Sequence, residues 1–83
     1  MKLFEVKKVA VHRDERVIRG ITLTWETVTL IVEFKSSTIS VDYVGYVGHP
    51  HHLRNLHIEG ADAPSMYQLK TLRKIAEEEL AKS

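Results

Sequence analysis

Four of the chain's five histidines lie close together in the middle of the sequence. His49 and His51 are two residues apart, so in an extended segment their rings point to the same side. His57 adds a third imidazole if the chain folds back, and zinc accepts such ligands. Pro50 marks an irregular loop here, however, and a solvated polar loop is the simpler interpretation. We expect no cofactor, and we name His49, His51 and His57 as the residues that would hold a metal.

A second group of residues has the chemistry for nucleic-acid binding. The first twenty residues carry six basic side chains, and those of the predicted N-terminal hairpin are Lys7, Lys8, Arg13, Arg16 and Arg19. They can contact phosphates, and aromatic side chains at Trp25, Tyr43 and Tyr46 can stack on bases. Trp25 is in phase with the apolar side of its predicted strand, which favours a place in the core instead. A basic N-terminal hairpin that binds nucleic acid is therefore an alternative hypothesis.

The sequence contains none of the motifs that carry common enzymatic chemistry. G-x-S-x-G, H-E-x-x-H, G-x-x-x-x-G-K-[ST] and G-x-G-x-x-G are all missing. A small metal-independent nuclease could use His12, Arg13 or His57, together with Lys and Tyr groups, as acid, base and phosphate clamp. Nothing in their spacing singles out that use, and we expect no enzymatic activity.

Length and composition set the class of protein. The 83 residues are 43% hydrophobic and 28% charged, which predicts one globular domain over residues 1–83. The lack of cysteine excludes disulfides and thiolate metal sites and favours the cytoplasm. The N-terminal apolar runs are too short for a signal peptide or a membrane span, so we expect no membrane partner. A net charge of +1 gives no overall attraction to nucleic acid or anionic lipid.

The strand-rich part of the chain is predicted to be residues 1–58, which are dense in β-branched and aromatic types. Side-chain alternation changes parity at Lys7-Lys8, which predicts a β-bulge. The predicted strands are residues 3–12, 16–25, 27–35, 39–46 and 53–58. The predicted connections are a hairpin loop at 13–16, a tight reversal at 25–27 and a turn at 35–38.

The C-terminal part, residues 62–82, has helical periodicity. Its apolar stripe is Met66, Leu69, Leu72, Ile75, Ala76 and Leu80. Ser65 and Gln68 have the spacing of a capping box, and Asp62 is a further candidate for the N-cap.

The expected fold is α+β, an antiparallel β-meander of four to five strands with one C-terminal amphipathic helix packed on one face. The other face of the sheet is then uncovered, and Ile18, Ile31 and Val44 are placed on it as an interaction face. The first functional hypothesis is a small non-enzymatic protein-interaction module. It binds a protein partner or a second copy of itself, as a homodimer, through the uncovered sheet face or a sheet edge.

Overall fold

In the computed structural model, which describes residues 2–83, four strands precede one helix. They are β1 (Glu5–Ile18), β2 (Ile21–Phe34), β3 (Ser37–Tyr46), β4 (His52–Glu59) and α1 (Met66–Lys82). The strands form one antiparallel sheet in the order β1-β2-β3-β4, so each strand pairs with its neighbour in sequence. The predicted α+β meander with a C-terminal helix is confirmed, with four strands.

The core lies between one face of the sheet and α1, and we call this the helix face. Side chains alternate across a strand, so every second residue of β2 and β3 points to it. The core consists of Phe4, Val28, Leu30, Val32, Phe34, Ile39, Val41, Tyr43, Leu72, Ala76 and Leu80. Burial of each large apolar side chain stabilises the fold by about 1.5 to 3 kcal/mol. The opposite side is the open face, and no element of residues 2–83 covers it.

The first two strands are longer than predicted, at 14 residues each. Their hairpin turns at Arg19 and Gly20, which have φ angles of 51° and 79°. Two successive positive φ angles are typical of a two-residue type I′ turn. The predicted loop at 13–16 and reversal at 25–27 are wrong, because both segments continue as strand. In β2 the apolar residues up to Trp25 are odd-numbered and face the open side, whereas the buried residues that begin with Val28 are even-numbered and face the core. This change of side within one strand is what resembled a turn.

The β1–β2 hairpin extends beyond the rest of the sheet. The last residue of β3, Tyr46, pairs with Trp25. Residues 15–24, which we call the hairpin arm, therefore form a two-stranded ribbon. The arm accepts one backbone hydrogen bond, from Val47 in the loop after β3 to the carbonyl oxygen of Thr24. At its tip Val17 and Ile21 are 70% and 62% exposed. The molecule is elongated as a result, with extents of 47 × 21 × 19 Å.

Two local predictions about the strands are confirmed. The pairing of β1 with β2 shifts register between Val6 and Lys8, which is the bulge expected there. β2 and β3 are joined by a tight turn at Lys35 and Ser36, inside the range predicted for it.

The helix begins at Met66, four residues later than the predicted bound. Ser65 is the N-cap, and its side chain and that of Gln68 form the predicted capping box. Asp62 does not cap α1. Its carboxylate accepts hydrogen bonds from the backbone N–H (3.1 Å) and hydroxyl (2.5 Å) of Ser36. These bonds hold the pKa of Asp62 below its usual value and fix the connection before α1 to the β2–β3 turn.

Candidate functional site

The predicted metal-binding histidines are not brought together. His51 is buried on the helix face, with its Nε2 2.9 Å from Oε1 of Glu26. His57 lies on the open face of β4, where it pairs with Ser40 of β3. His49 is exposed in the loop between β3 and β4. Within residues 2–83, no three or more His, Cys, Asp or Glu side chains are grouped as metal ligands.

The residues suggested for a nuclease are also apart. His12 lies on the open face of β1, where its Nε2 is 3.1 Å from Oδ1 of Asp14. His57 is on β4, with β2 and β3 between the two histidines. Arg13 points to the helix face. The three side chains therefore cannot act on one phosphate.

A polar cluster instead joins the exposed Arg13 to the buried Glu26 and His51. Glu26 Oε2 accepts from Arg13 Nε at 3.0 Å, and its Oε1 faces the imidazole of His51. Because a carboxylate can only accept, His51 donates through Nε2. Arg13 also donates to the carbonyl oxygen of Leu80 (3.2 Å) and to the hydroxyl of Ser83 (2.8 Å). The cluster connects β1, β2, the loop after β3 and the end of α1.

His51 reaches the cluster because Gly45 has no side chain. Gly45 pairs with Glu26 and faces the helix side of β3. A Cβ at Gly45 would lie 3.0 Å from Cδ2 of His51 and 3.0 Å from the carbonyl oxygen of Pro50. The glycine therefore leaves the space in which the imidazole ring packs against the sheet.

A cleft of about 660 Å³ runs past this cluster, between the loop after β3 and the second half of α1. Its described lining residues are Glu26, Val47, Gly48, His49, Pro50, His51, Arg73, Glu77, Leu80 and Ala81. None of them carries a hydroxyl or thiol. An oriented imidazole is present, but the nucleophile that a relay requires is missing from the described wall of the cleft.

The five basic residues proposed for nucleic acid do not form one surface. Lys7, at the bulge, is 3.0 Å from a carboxylate oxygen of Glu5, and this hydrogen bond is the main reason that its pKa is raised. Lys8 and Arg16 lie on the open face of β1, whereas Arg13 faces the helix. Arg19 occupies the hairpin turn.

Of the three aromatic candidates, two lie on the open face. Trp25 is half-buried there, and its ring centroid is 4.8 Å from that of Tyr46 and 4.4 Å from the guanidinium carbon of Arg16. The predicted place of Trp25 in the core is wrong, because β2 continues without a turn and odd-numbered residues keep to the open side. Tyr43 is buried on the helix face and donates to the carbonyl oxygen of Leu69 at 3.1 Å. Its burial raises the pKa of the phenol.

The predicted interaction face is divided between two regions. Ile31 and Val44 lie in the middle of the open face, both half-buried by neighbouring side chains. Ile18 lies at the end of the hairpin arm, paired with Ile21. Ten positions along β2 separate Ile21 from Ile31, which is about 34 Å of strand. These residues therefore do not form one compact patch.

The sequence named a sheet edge as a possible interaction surface without saying which one, and one such edge is the free side of β1. Within residues 2–83 this strand pairs only with β2. All its residues are exposed except Val11, which is half-buried. Val6 and Val9 face the helix side but remain 39% and 37% exposed. Val9 and Val11, which are two residues apart, are the sequence signal for this edge, and the bulge brings Val6 to the same side.

A groove borders this edge where the beginning of β1 passes α1. It has a volume of about 510 Å³. Its apolar lining includes Leu3, Phe4, Val6 and Ile75, and Glu78 of α1 lies beside them. The apolar surface of the β1 edge thus continues as far as the helix.

Comparisons with family models, with curated proteins and with solved structures each found no match. In residues 2–83 the helix is neither long nor apolar enough to cross a membrane.

Proposed function

We propose that this protein is a non-enzymatic interaction module that self-associates, with β1 of one copy pairing antiparallel with β1 of a second. The observation that carries the proposal is the edge of β1, 14 residues long and unpaired on its outer side within the described chain. An edge strand presents free N–H and C=O groups to any strand of suitable shape. Pairing two copies would satisfy these groups and produce one sheet of eight strands.

The apolar side chains on this edge support the same partner. In a symmetric pair the two-fold axis is perpendicular to the sheet, so both helices lie on one side. The exposed valines Val6 and Val9 of both copies would then lie between the two helices, beside the half-buried Val11. The groove next to α1 would close at the same time. Association would therefore extend the core of each copy into the next.

The other surfaces are less suited to this role. The second edge, β4, has only 8 residues, against 14 in β1. Each of these edge strands contains one register shift, so the difference between them is length. Short strands are a feature that discourages edge pairing. On the open face, Ile31 and Val44 are already half-buried by their neighbours. The edge of β1 combines the greatest length with apolar side chains left partly uncovered.

Light scattering coupled to size exclusion, over a range of protein concentrations, tests the proposal. We expect a dimer in the wild type and a monomer in Val9→Lys, which places a charge on the partly exposed helix side of the edge. Val47→Lys makes the same change at an exposed valine in the loop after β3 and should remain dimeric. A wild type that is monomeric at every concentration, or a dimeric Val9→Lys variant, would contradict the proposal.

Nucleic-acid binding is a second candidate because Trp25 and Tyr46 lie on the open face beside Arg16. Aromatic rings next to a guanidinium are suited to single-stranded bases. Titration of a labelled single-stranded oligonucleotide at about 50 mM salt, where phosphate contacts are strong, tests it. Binding that is lost in Trp25→Ala and kept in Tyr67→Ala, an exposed aromatic on α1, would support this function. No binding by the wild type would exclude it.

A further inference from the structure

We infer the register of the paired strands: the two-fold axis passes between Val11 of β1 and Val11 of the partner subunit, so that Lys8 of one copy faces Asp14 of the partner subunit. This inference rests on the proposed self-association. It follows from the order of charges along β1, which becomes its own complement when the strand is reversed.

The open-face side of β1 carries the relevant side chains. Their cross-strand partners in β2 establish that they share this face. From Glu5 to Arg16, in chain order, they are Glu5, Lys8, Ala10, His12, Asp14 and Arg16, and the uncharged Ile18 follows them. Glu5 and Asp14 are negative, and Lys8 and Arg16 are positive. Ala10 and His12 lie between Lys8 and Asp14 and carry no formal charge, with histidine taken as neutral. Reversing the order places every positive group opposite a negative one.

The pairs follow directly from an axis at Val11. Residues whose numbers add to 22 face each other, so Lys8 meets Asp14 of the partner subunit and Ala10 meets the partner's His12. The bulge leaves Lys7 without a partner, which brings Glu5 opposite the partner's Arg16. Each of these contacts occurs twice in the dimer because of the symmetry. Opposite charges at directly facing positions stabilise an antiparallel pair.

The helix side of β1 fits the same axis. Val11, half-buried in the single chain, would meet Val11 of the partner subunit. Val9 would lie beside the partner's Arg13, where it can cover the apolar stem of the side chain. The guanidinium of Arg13 is already directed at Glu26 and the end of α1. No charged pair of like sign arises at these two positions.

Neighbouring registers bring like charges together. A slip of two residues in one direction places Lys8 opposite Arg16 of the partner subunit. A slip of two in the other direction places Glu5 opposite the partner's Asp14. A slip of four in one direction places the two copies of Arg13 opposite each other. In the other direction it brings no like charges together, but it leaves no pair of opposite charges and pairs a shorter part of β1. Like charges at facing positions are destabilising and opposite charges are stabilising, so the axis at Val11 is the register that the charge order favours among those that keep both helices on the same side.

Charge reversal of single residues, followed by mixing, tests the register. Lys8→Glu places two acidic groups opposite each other, and Asp14→Lys places two basic groups there. We expect each variant alone to associate about tenfold more weakly than the wild type or worse, because the repulsion occurs twice. In an equal mixture of the two variants every facing pair is again of opposite sign, so a heterodimer should form with affinity near that of the wild type.

Both substituted side chains are exposed, so the variants should keep the fold, and circular dichroism of each verifies this. Glu59→Lys, a charge reversal at the end of β4, is the matched control and should dimerise normally. Native mass spectrometry of the mixture identifies the heterodimer directly. Single variants as tight as the wild type, or a mixture that does not recover, would overturn the register. If the register is overturned but the wild type dimerises and Val9→Lys does not, the proposed edge pairing still stands. A monomeric wild type would contradict both the edge pairing and the register.

Discussion

Glu26 is the residue on which the polar contacts of the helix face depend. Its two oxygens accept from Arg13 and His51, and its side chain is only 7% exposed. Glu26→Ala leaves the buried imidazole of His51 without its acceptor. Arg13, by contrast, is 37% exposed and keeps its acceptors on Leu80 and Ser83. Leaving a buried donor unsatisfied costs about 1 to 3 kcal/mol, and we expect a loss of that size. Urea unfolding of the variant measures the loss.

Glu15→Ala, an exposed carboxylate on the hairpin arm, is the control for this substitution and should change stability by less than about 0.5 kcal/mol. A Glu26→Ala variant as stable as Glu15→Ala would show that the cluster does not hold the end of α1 to the sheet.

Tyr43 gives the fold a dependence on alkaline pH. Burial raises the pKa of its phenol above that of the unfolded chain, which is about 10. Its contribution to stability is therefore complete below about pH 10 and is lost as the pH rises through the folded-state pKa. Tyr43→Phe cannot ionise, so its free energy of unfolding should fall less steeply above that pH.

At neutral pH the same variant loses the hydrogen bond to Leu69, a cost of about 1 kcal/mol. Tyr67→Phe changes an exposed phenol on α1 and should follow the wild type throughout. Chemical unfolding at a series of pH values compares the three proteins. Parallel curves for wild type and Tyr43→Phe would contradict the role assigned to burial.

The hairpin arm depends on its two-residue turn. Arg19 has a positive φ, which costs a residue with a β-carbon about 1 to 2 kcal/mol, and Gly20 has one as well. Arg19→Asn introduces the residue that type I′ turns prefer and should stabilise the arm, whereas Gly20→Ala should destabilise it by about 1 kcal/mol. Amide hydrogen exchange at residues 15–24 measures this locally. Equal protection in both variants would argue against the turn type.

The elements with a single apolar side could be predicted from the sequence, and those with two could not. α1 has one stripe and a capping box, so its end and its cap were predictable. β2 has apolar residues on both sides, with Leu23 and Trp25 facing the open side and Val28 facing the core. Hydrophobic alternation assumes one buried face, so this change of side looked like a turn. Gly20 signalled the true turn, but Arg19 is an unusual partner for it.

Candidate-site residues were predictable by type but not by contact. The sequence identified Arg13 and His51 as chemically suited residues, yet assigned them to different sites. Their meeting at Glu26 depends on the strand register and on the space beside Gly45. No local pattern contains that information, because the interacting residues are 13 and 25 positions apart in the chain.

At the scale of the whole molecule, shape and size favour a partner. A chain of 83 residues buries only about 60 to 65% of the surface that its unfolded form exposes. Here the molecule is long and narrow, and α1 packs mainly on β2 and β3 rather than along β1. Apolar surface therefore remains along one side of the molecule and at the tip of the hairpin arm. Covering the first of these by a second copy would couple folding to association.

With the proposed self-association, the unfolding temperature would depend on protein concentration. Only the folded chain can pair, so a higher concentration shifts the equilibrium toward the folded dimer. For a domain of this size, we expect a tenfold rise in concentration to raise Tm by roughly 3 to 5 °C. Val9→Lys should melt at a lower Tm that is the same at every concentration, and Val47→Lys should follow the wild type. Calorimetry across a hundredfold range of protein concentration measures these Tm values. A wild-type Tm that does not change with concentration would show that folding is not coupled to self-association.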